Sequence, residues 1–201
     1  MSHIQEPSVD DAELQASETS NYRIGQKKTL QEYAELDKED ESLARWKASL
    51  GLGSGGAGAS DGPKVQMLSL SLVSDSRKQG PIVLDLTDAQ KLKELKKDAI
   101  VIKEGAEYAV ELKFQVQGDV VTGLKYIQVV RRAGITVDKL ESMIGSFGPS
   151  AEPTTKRFVS EEAPSGMLAR SGSYTVRSRV VDDDKTVYVD FEWSFTLKKD
   201  W

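Results

Sequence analysis

Chemistry at a protein site needs groups that titrate, ligate metal or attack, and this chain is short of them. It has no cysteine and a single histidine, His3. Thiol nucleophiles, disulfide scaffolds and cysteine-ligated zinc are excluded, and a histidine triad or multi-histidine metal site is out of reach. Carboxylates remain. The densest run is Asp182-Asp183-Asp184, but a calcium loop needs alternating ligands, a central glycine and a distal glutamate, so the run reads as a polar turn between strands. Paired carboxylates for glycoside chemistry are a matter of spatial separation, and nothing local supports them. Gly51-x-Gly53-x-x-Gly56 matches the dinucleotide fingerprint letter for letter, yet that motif works only after a strand and at the opening of a helix. Here it follows helical spacing and enters more glycine, which makes residues 51–62 a linker. No cofactor, metal or catalytic residue is expected, and binding is the more promising kind of function.

The elements that would position a binding surface fall into two parts. Of the 201 residues, 27 are basic and 32 acidic. Residues 1–62 hold 6 Lys/Arg against 12 Asp/Glu, and residues 63–201 hold 21 against 20. All of the excess negative charge is in the first third. The near-neutral remainder argues against nucleic acid as a partner, because phosphate neutralisation needs a net basic face. No basic region followed by an apolar one opens the chain, and no stretch is apolar enough to span a bilayer, so a cytoplasmic protein with at most transient membrane contact is expected.

Residues 1–22 carry five acidic side chains, no Lys or Arg and scattered apolar ones, a composition that predicts disorder. Short helices are predicted near 29–36 and 38–50. Thr29 with Glu32 forms a capping box for the first, and Asp37 is placed to cap the second, with Glu39, Asp40 and Glu41 in its first turn. Leu43, Trp46 and Leu50 share one face of that helix. Helices this short are marginal alone, so the stripe must dock on something. The arm is therefore residues 1–62 and the body residues 63–201.

From Pro63 the hydrophobic period becomes two. Leu68, Leu70 and Leu72 alternate with serine, Tyr108 to Val116 alternate with polar residues, and Val187, Val189, Phe191, Trp193, Phe195 and Leu197 form one face of a long final strand. Shorter runs at 82–86, 100–103, 120–132, 156–159 and 174–181 bring the total to about eight strands, an immunoglobulin-like antiparallel β-sandwich in the all-β class. One short helix, capped by Thr87 and Gln90 with Leu92 and Leu95 inward, crosses between strands. The large apolar side chains are core first, with a ligand pocket between the sheets as the alternative.

Several blocks, in order, resemble the Rho GDP-dissociation inhibitors: Glu35-Leu36-Asp37-Lys38-Glu39-Asp40-Glu41-Ser42-Leu43, Lys103-Glu104-Gly105 with Tyr108, Gly123-Leu124-Lys125-Tyr126-Ile127-Gln128, Gly145-Ser146-Phe147-Gly148-Pro149, Glu161-Glu162-Ala163-Pro164 with Gly166-Met167-Leu168-Ala169-Arg170, Asp182-Asp183-Asp184-Lys185-Thr186 and Lys198-Lys199-Asp200-Trp201. The resemblance spans residues 22–201. It implies a sandwich that takes the geranylgeranyl chain of a GDP-bound Rho, Rac or Cdc-type GTPase between its sheets, and an arm that folds on the GTPase switches, in a 1:1 complex of a monomer. It places Asp40, Leu43, Trp46 and Asp184 at the GTPase. It places Leu72, Ile100, Tyr108, Val120, Leu168, Val176 and Trp193 around the prenyl slot, and Asp138, Glu161 and Glu162 against the basic tail. Ile100 stands where animal members are expected to have an aromatic, Ala99 lacks a hydroxyl beside the slot, and Ser171 is an extra residue. The runner-up is a carrier of other prenylated cargo that lacks the switch-binding arm.

Overall fold

The computed structural model describes residues 9–17, 32, 39–49 and 63–201. The expected helix near 29–36, apart from Glu32, and the linker 51–62 lie outside the described residues. Two helices are described in the arm, α1 (Val9–Glu13) and α2 (Glu41–Ser49). The body contains β1 (Val65–Val73), β2 (Ile82–Asp85), α3 (Ala89–Glu94), β3 (Ile100–Lys103), β4 (Glu107–Val116), β5 (Val121–Arg132) and β6 (Ile135–Phe147). It continues through β7 (Thr154–Arg157), β8 (Glu161–Glu162), α4 (Met167–Arg170), β9 (Ser173–Val181) and β10 (Val187–Lys198).

These strands form an all-β sandwich. One sheet has the order β2-β1-β4-β7, with β8 also on β4, and the other β3-β10-β9-β5-β6. The pairings are antiparallel except β3 with β10, which run parallel. The alternating face of β10 is the core: Val189, Phe191, Trp193, Phe195 and Leu197 are buried, opposite Leu70 and Leu72 of β1 and Val110, Leu112 and Phe114 of β4 in one apolar cluster. In β1 a bulge between Met67 and Ser69 shifts the phase. Val65 and Met67 therefore point inward while Leu68 is only half-buried, because an inserted residue moves every side chain before it to the other face.

The short crossing helix is capped differently from the expectation. Asp88, not Thr87, is its N-cap, accepting from the Gln90 amide at 2.7 Å, while Thr87 donates through its amide and hydroxyl to Asp85. Aspartate is the stronger cap, and the neighbouring carboxylate takes the threonine. Leu92 and Leu95 pack on the core as expected.

Residues 9–17 depart from the disorder expected for residues 1–22, whose remaining residues lie outside the described ones. Residues 9–17 lie on the outer face of the second sheet, with Leu14 1% exposed against Ile127, Val129 and Val181. A mean over twenty residues hides one well-placed leucine and two acids that find arginines. β6 and β8 were not anticipated either. Most of β6 is solvent-exposed at a sheet edge, so its sequence carries no burial alternation to read.

Candidate functional site

Three groups of side chains are brought together. The first is on the arm. Asp40 Oδ1 accepts from the Ser42 amide at 2.8 Å and the Leu43 amide at 3.2 Å, and the Asp40 carbonyl accepts from the Ala44 amide. Asp40 is thus the N-cap of α2, three residues after the cap expected at Asp37, and it stays exposed. Leu43 is half-buried on the first turn. Trp46 is one turn further along α2, and its side chain lies outside the described residues.

The second group is the turn between β9 and β10. Asp182 is buried and holds the turn together, accepting from the Thr186 amide at 2.9 Å and the Tyr188 hydroxyl at 2.8 Å. The run of three aspartates is therefore structural at its first member. Lys185 takes φ +63 to close the turn. Gly123 lies under it with φ +61, and a Cβ there would stand 1.9 Å from Asp183 Oδ2, so only glycine fits. Asp184 borders a surface pocket with Pro63, Lys64, Thr186, Val187 and Tyr188. No group of three or more potential metal ligands occurs among the described residues.

The third group is the space between the sheets. Val176 and Trp193 are register partners on β9 and β10, Ile100 pairs with Phe195, and Leu72 sits on the opposite sheet. These five and Tyr108 belong to one apolar cluster. Val120 is half-buried immediately before β5, where its carbonyl accepts from Lys64 Nζ. Leu168 is not in the cluster. It is 79% exposed on α4, and its carbonyl accepts from Arg132 and from the Ser171 hydroxyl. The extra Ser171 thus closes the one-turn helix as its C-cap.

At the open edge of the sandwich, Tyr108 Oη donates to Glu161 Oε2 at 3.4 Å. Burial, and then the Asp138 charge, raise the Glu161 pKa, so Asp138 on β6 and Glu161 on β8 are within electrostatic reach of each other although their strands belong to different sheets. Glu162 alternates to the other side of β8, paired with Glu107. Sequence reasoning missed a buried polar chain beside this mouth. Trp193 Nε1 donates to Ser178 Oγ at 3.1 Å, Ser178 and Tyr126 hydroxyls are 2.9 Å apart, and Tyr126 donates to Gln128 Oε1 at 2.8 Å. Tyr126 has one proton and gives it to Gln128, so Ser178 donates to Tyr126 and both hydroxyls donate and accept. Its signal was Gln128 and Ser178 falling on the inward phase of their strands.

A capped helix stands before a sandwich with an apolar interior, an arrangement suited to binding. The family described as RHO protein GDP dissociation inhibitor matches residues 7–200. The chain belongs to the Rho GDP-dissociation inhibitor family. It is 46% identical over 179 residues to the Rho GDP-dissociation inhibitor of Schizosaccharomyces pombe, covering 89% of this chain and 86% of that one. It is 45% identical over 204 residues to Rho GDP-dissociation inhibitor 1 of Homo sapiens, covering 98% of both. Against the Saccharomyces cerevisiae protein the figures are 38% over 203 residues, with 96% and 98% covered. As a Rho GDP-dissociation inhibitor the chain is a regulatory inhibitor that acts on Rho GTPases. The human match runs through arm and sandwich alike, which disfavours a carrier without the arm. Among the described residues no helix is long and apolar enough to cross a membrane.

Proposed function

We propose that this Rho GDP-dissociation inhibitor works by dividing two tasks: the sandwich shelters the geranylgeranyl group of a GDP-bound Rho GTPase, and the arm holds the GTPase switches closed. The observation that carries this reading is Asp40 at the cap of α2, an exposed carboxylate fixed on a short helix ahead of an apolar sandwich. Asp40 accepts from the first switch, Leu43 and Trp46 pack on the GTPase, and Asp184 faces the second switch from the sandwich end. Switch segments ordered by a docked partner cannot open to release GDP. No catalysis is involved, the complex is 1:1, and the protein works from the cytoplasm.

The lipid alone does not account for extraction. A twenty-carbon isoprenoid has about 10–16 kcal/mol at stake between water and an apolar site, at ~0.8 kcal/mol per CH₂. The bilayer offers nearly the same, so the balance is tipped by protein contacts that are unavailable at the membrane. Leu72, Ile100, Tyr108, Val120, Val176 and Trp193 line the slot, with Leu168 at its rim, where an exposed leucine can fold over the lipid.

Asp138, Glu161 and Glu162 receive the basic tail, for which anionic lipids compete at about 1 kcal/mol per basic residue. This part has a pH signature. The folded-state pKa of Glu161 is raised, so its ionisation costs stability: the contribution is full below the unfolded value and is lost as pH rises through the folded one. A cationic tail favours the ionised form. Affinity for a lysine-rich tail peptide is therefore expected to rise as pH increases through the Glu161 pKa, and the Glu161→Gln variant is expected to lack that part of the rise. An unchanged pH profile in the variant would remove Glu161 from the tail site. The function as a whole is tested by titrating the chain with geranylgeranylated, GDP-loaded Rho GTPase, its unprenylated form and a Ras-type protein. Tightest binding is expected to the first, and equal affinity for all three would contradict it.

A further inference from the structure

The docked N-terminal segment has no part in the function described so far, yet among the described residues of the arm it is the best anchored. Asp11 Oδ1 accepts from Arg177 Nη2 and Arg179 Nη2, both at 2.9 Å, and Asp190 holds the same two guanidinium groups from the other side. Glu13 accepts from Arg131 Nη2 at 2.6 Å and from the Thr136 hydroxyl at 3.0 Å. Leu14 fills the apolar patch between these pairs. Ser17 then donates through its amide and hydroxyl to Glu141, at 3.1 and 2.7 Å, and its carbonyl accepts from Lys125 Nζ at 3.0 Å. Arg131 and Arg179 are only 17% and 13% exposed, so these pairs are less screened than ordinary surface ones.

The direction of the segment matters. Glu13 is held beside the Ala133-Gly134 hairpin, where Arg131 opposes Thr136. Ser17 is held at Lys125, which opposes Val181, and the Asp182–Lys185 turn follows directly. Ser17, the last described residue of the segment, therefore lies at the end of the sheet that carries Asp184. Pro63 and Lys64, where the chain returns, border Asp184 in the same pocket. Between Ser17 and Pro63 lie 45 residues, which include α2.

We propose that residues 11–17, of pattern Asp-x-Glu-Leu-x-x-Ser, are a clasp that docks in cis on the outer face of β5, β6 and β9, anchoring both ends of residues 18–62 at the Asp184 end of the sandwich and so strengthening the arm's hold on the GTPase. This rests on the arm reading above. Anchoring the second end confines α2 before the GTPase arrives, so less freedom is left to lose on binding. Opening the clasp is expected to weaken inhibition of GDP release by about three- to tenfold.

The chain has no native cysteine, so a single one placed at exposed Ala12 takes a nitroxide label cleanly. In the full chain without GTPase, the label is expected to broaden the amide signals of Ile127, Val129 and Val181. Glu13→Arg is expected to abolish the broadening and to raise the half-inhibitory concentration for GDP release by that same factor. Adding Arg131→Glu reverses the pair and is expected to restore both. Absent broadening, or broadening that survives Glu13→Arg, would overturn the clasp. Broadening lost with GDP release still inhibited at the same concentration would overturn its role in closure. A wild-type chain that does not slow GDP release at all would instead overturn the arm reading and leave the clasp standing.

Discussion

Replacing Leu72 by tryptophan is expected to weaken binding of a geranylgeranylated Rho GTPase by about a hundredfold while changing affinity for the unprenylated GTPase less than about threefold. Leu72 is buried on β1, register-paired with Val110 and Ile82, and belongs to the same apolar cluster as Val176 and Trp193 of the facing sheet. An indole there occupies the volume of three or four isoprenoid carbons, each worth ~0.8 kcal/mol. The loss of about 3 kcal/mol corresponds to a factor of roughly a hundred. Overpacking also costs the empty fold about 1–3 kcal/mol, so the urea midpoint is measured beside the affinities. Equal loss for both forms of the GTPase, with a collapsed midpoint, would mean general unfolding and no slot at Leu72.

The second large effect is expected at the arm. Asp40→Ala removes the cap of α2, worth about 1 kcal/mol, and also the carboxylate proposed to accept from the first switch, where a charge-assisted hydrogen bond contributes about 1.5–3 kcal/mol. Together they predict a loss of roughly thirty- to a thousandfold in potency against GDP release. Asp40→Asn separates the two contributions, because asparagine caps as well as aspartate. Its expected loss is the share that belongs to the charge at the switch, with the cap retained. Isoprenoid binding by either variant is expected to match the parent chain. If Asp40→Ala leaves both GDP release and membrane extraction unchanged, the arm does not act through this residue.

How legible these parts were in the sequence followed from how local their signals are. β4 and β10 could be read residue by residue, because each buries one face and wets the other. β6 could not, being an edge strand whose Ile135 and Val137 face solvent. The aspartate run was correctly a turn, since Asp182 is occupied by Thr186 and Tyr188. Caps were misplaced at Thr87 and Asp37, because each has an aspartate close behind it and competition between adjacent caps is settled by geometry. The electrostatic influence of Asp138 on Glu161 acts between strands of different sheets and has no sequence spacing to reveal it. The clasp left one trace. Ile127, Val129 and Val181 are apolar on the outward phase of their strands and are fully or nearly buried, so a cover was required, and Leu14 supplies it.

In the proposed function, lipid shelter and nucleotide retention belong to separate parts of one chain. The most direct test is the rate of GDP release from an unprenylated, GDP-loaded Rho GTPase held at saturating Leu72→Trp chain. With retention residing in the arm, as proposed, release is expected to stay as slow as with the parent chain although the slot is blocked. Release as fast as from the GTPase alone would contradict the division, and would mean that the arm holds the switches only when the lipid is seated between the sheets.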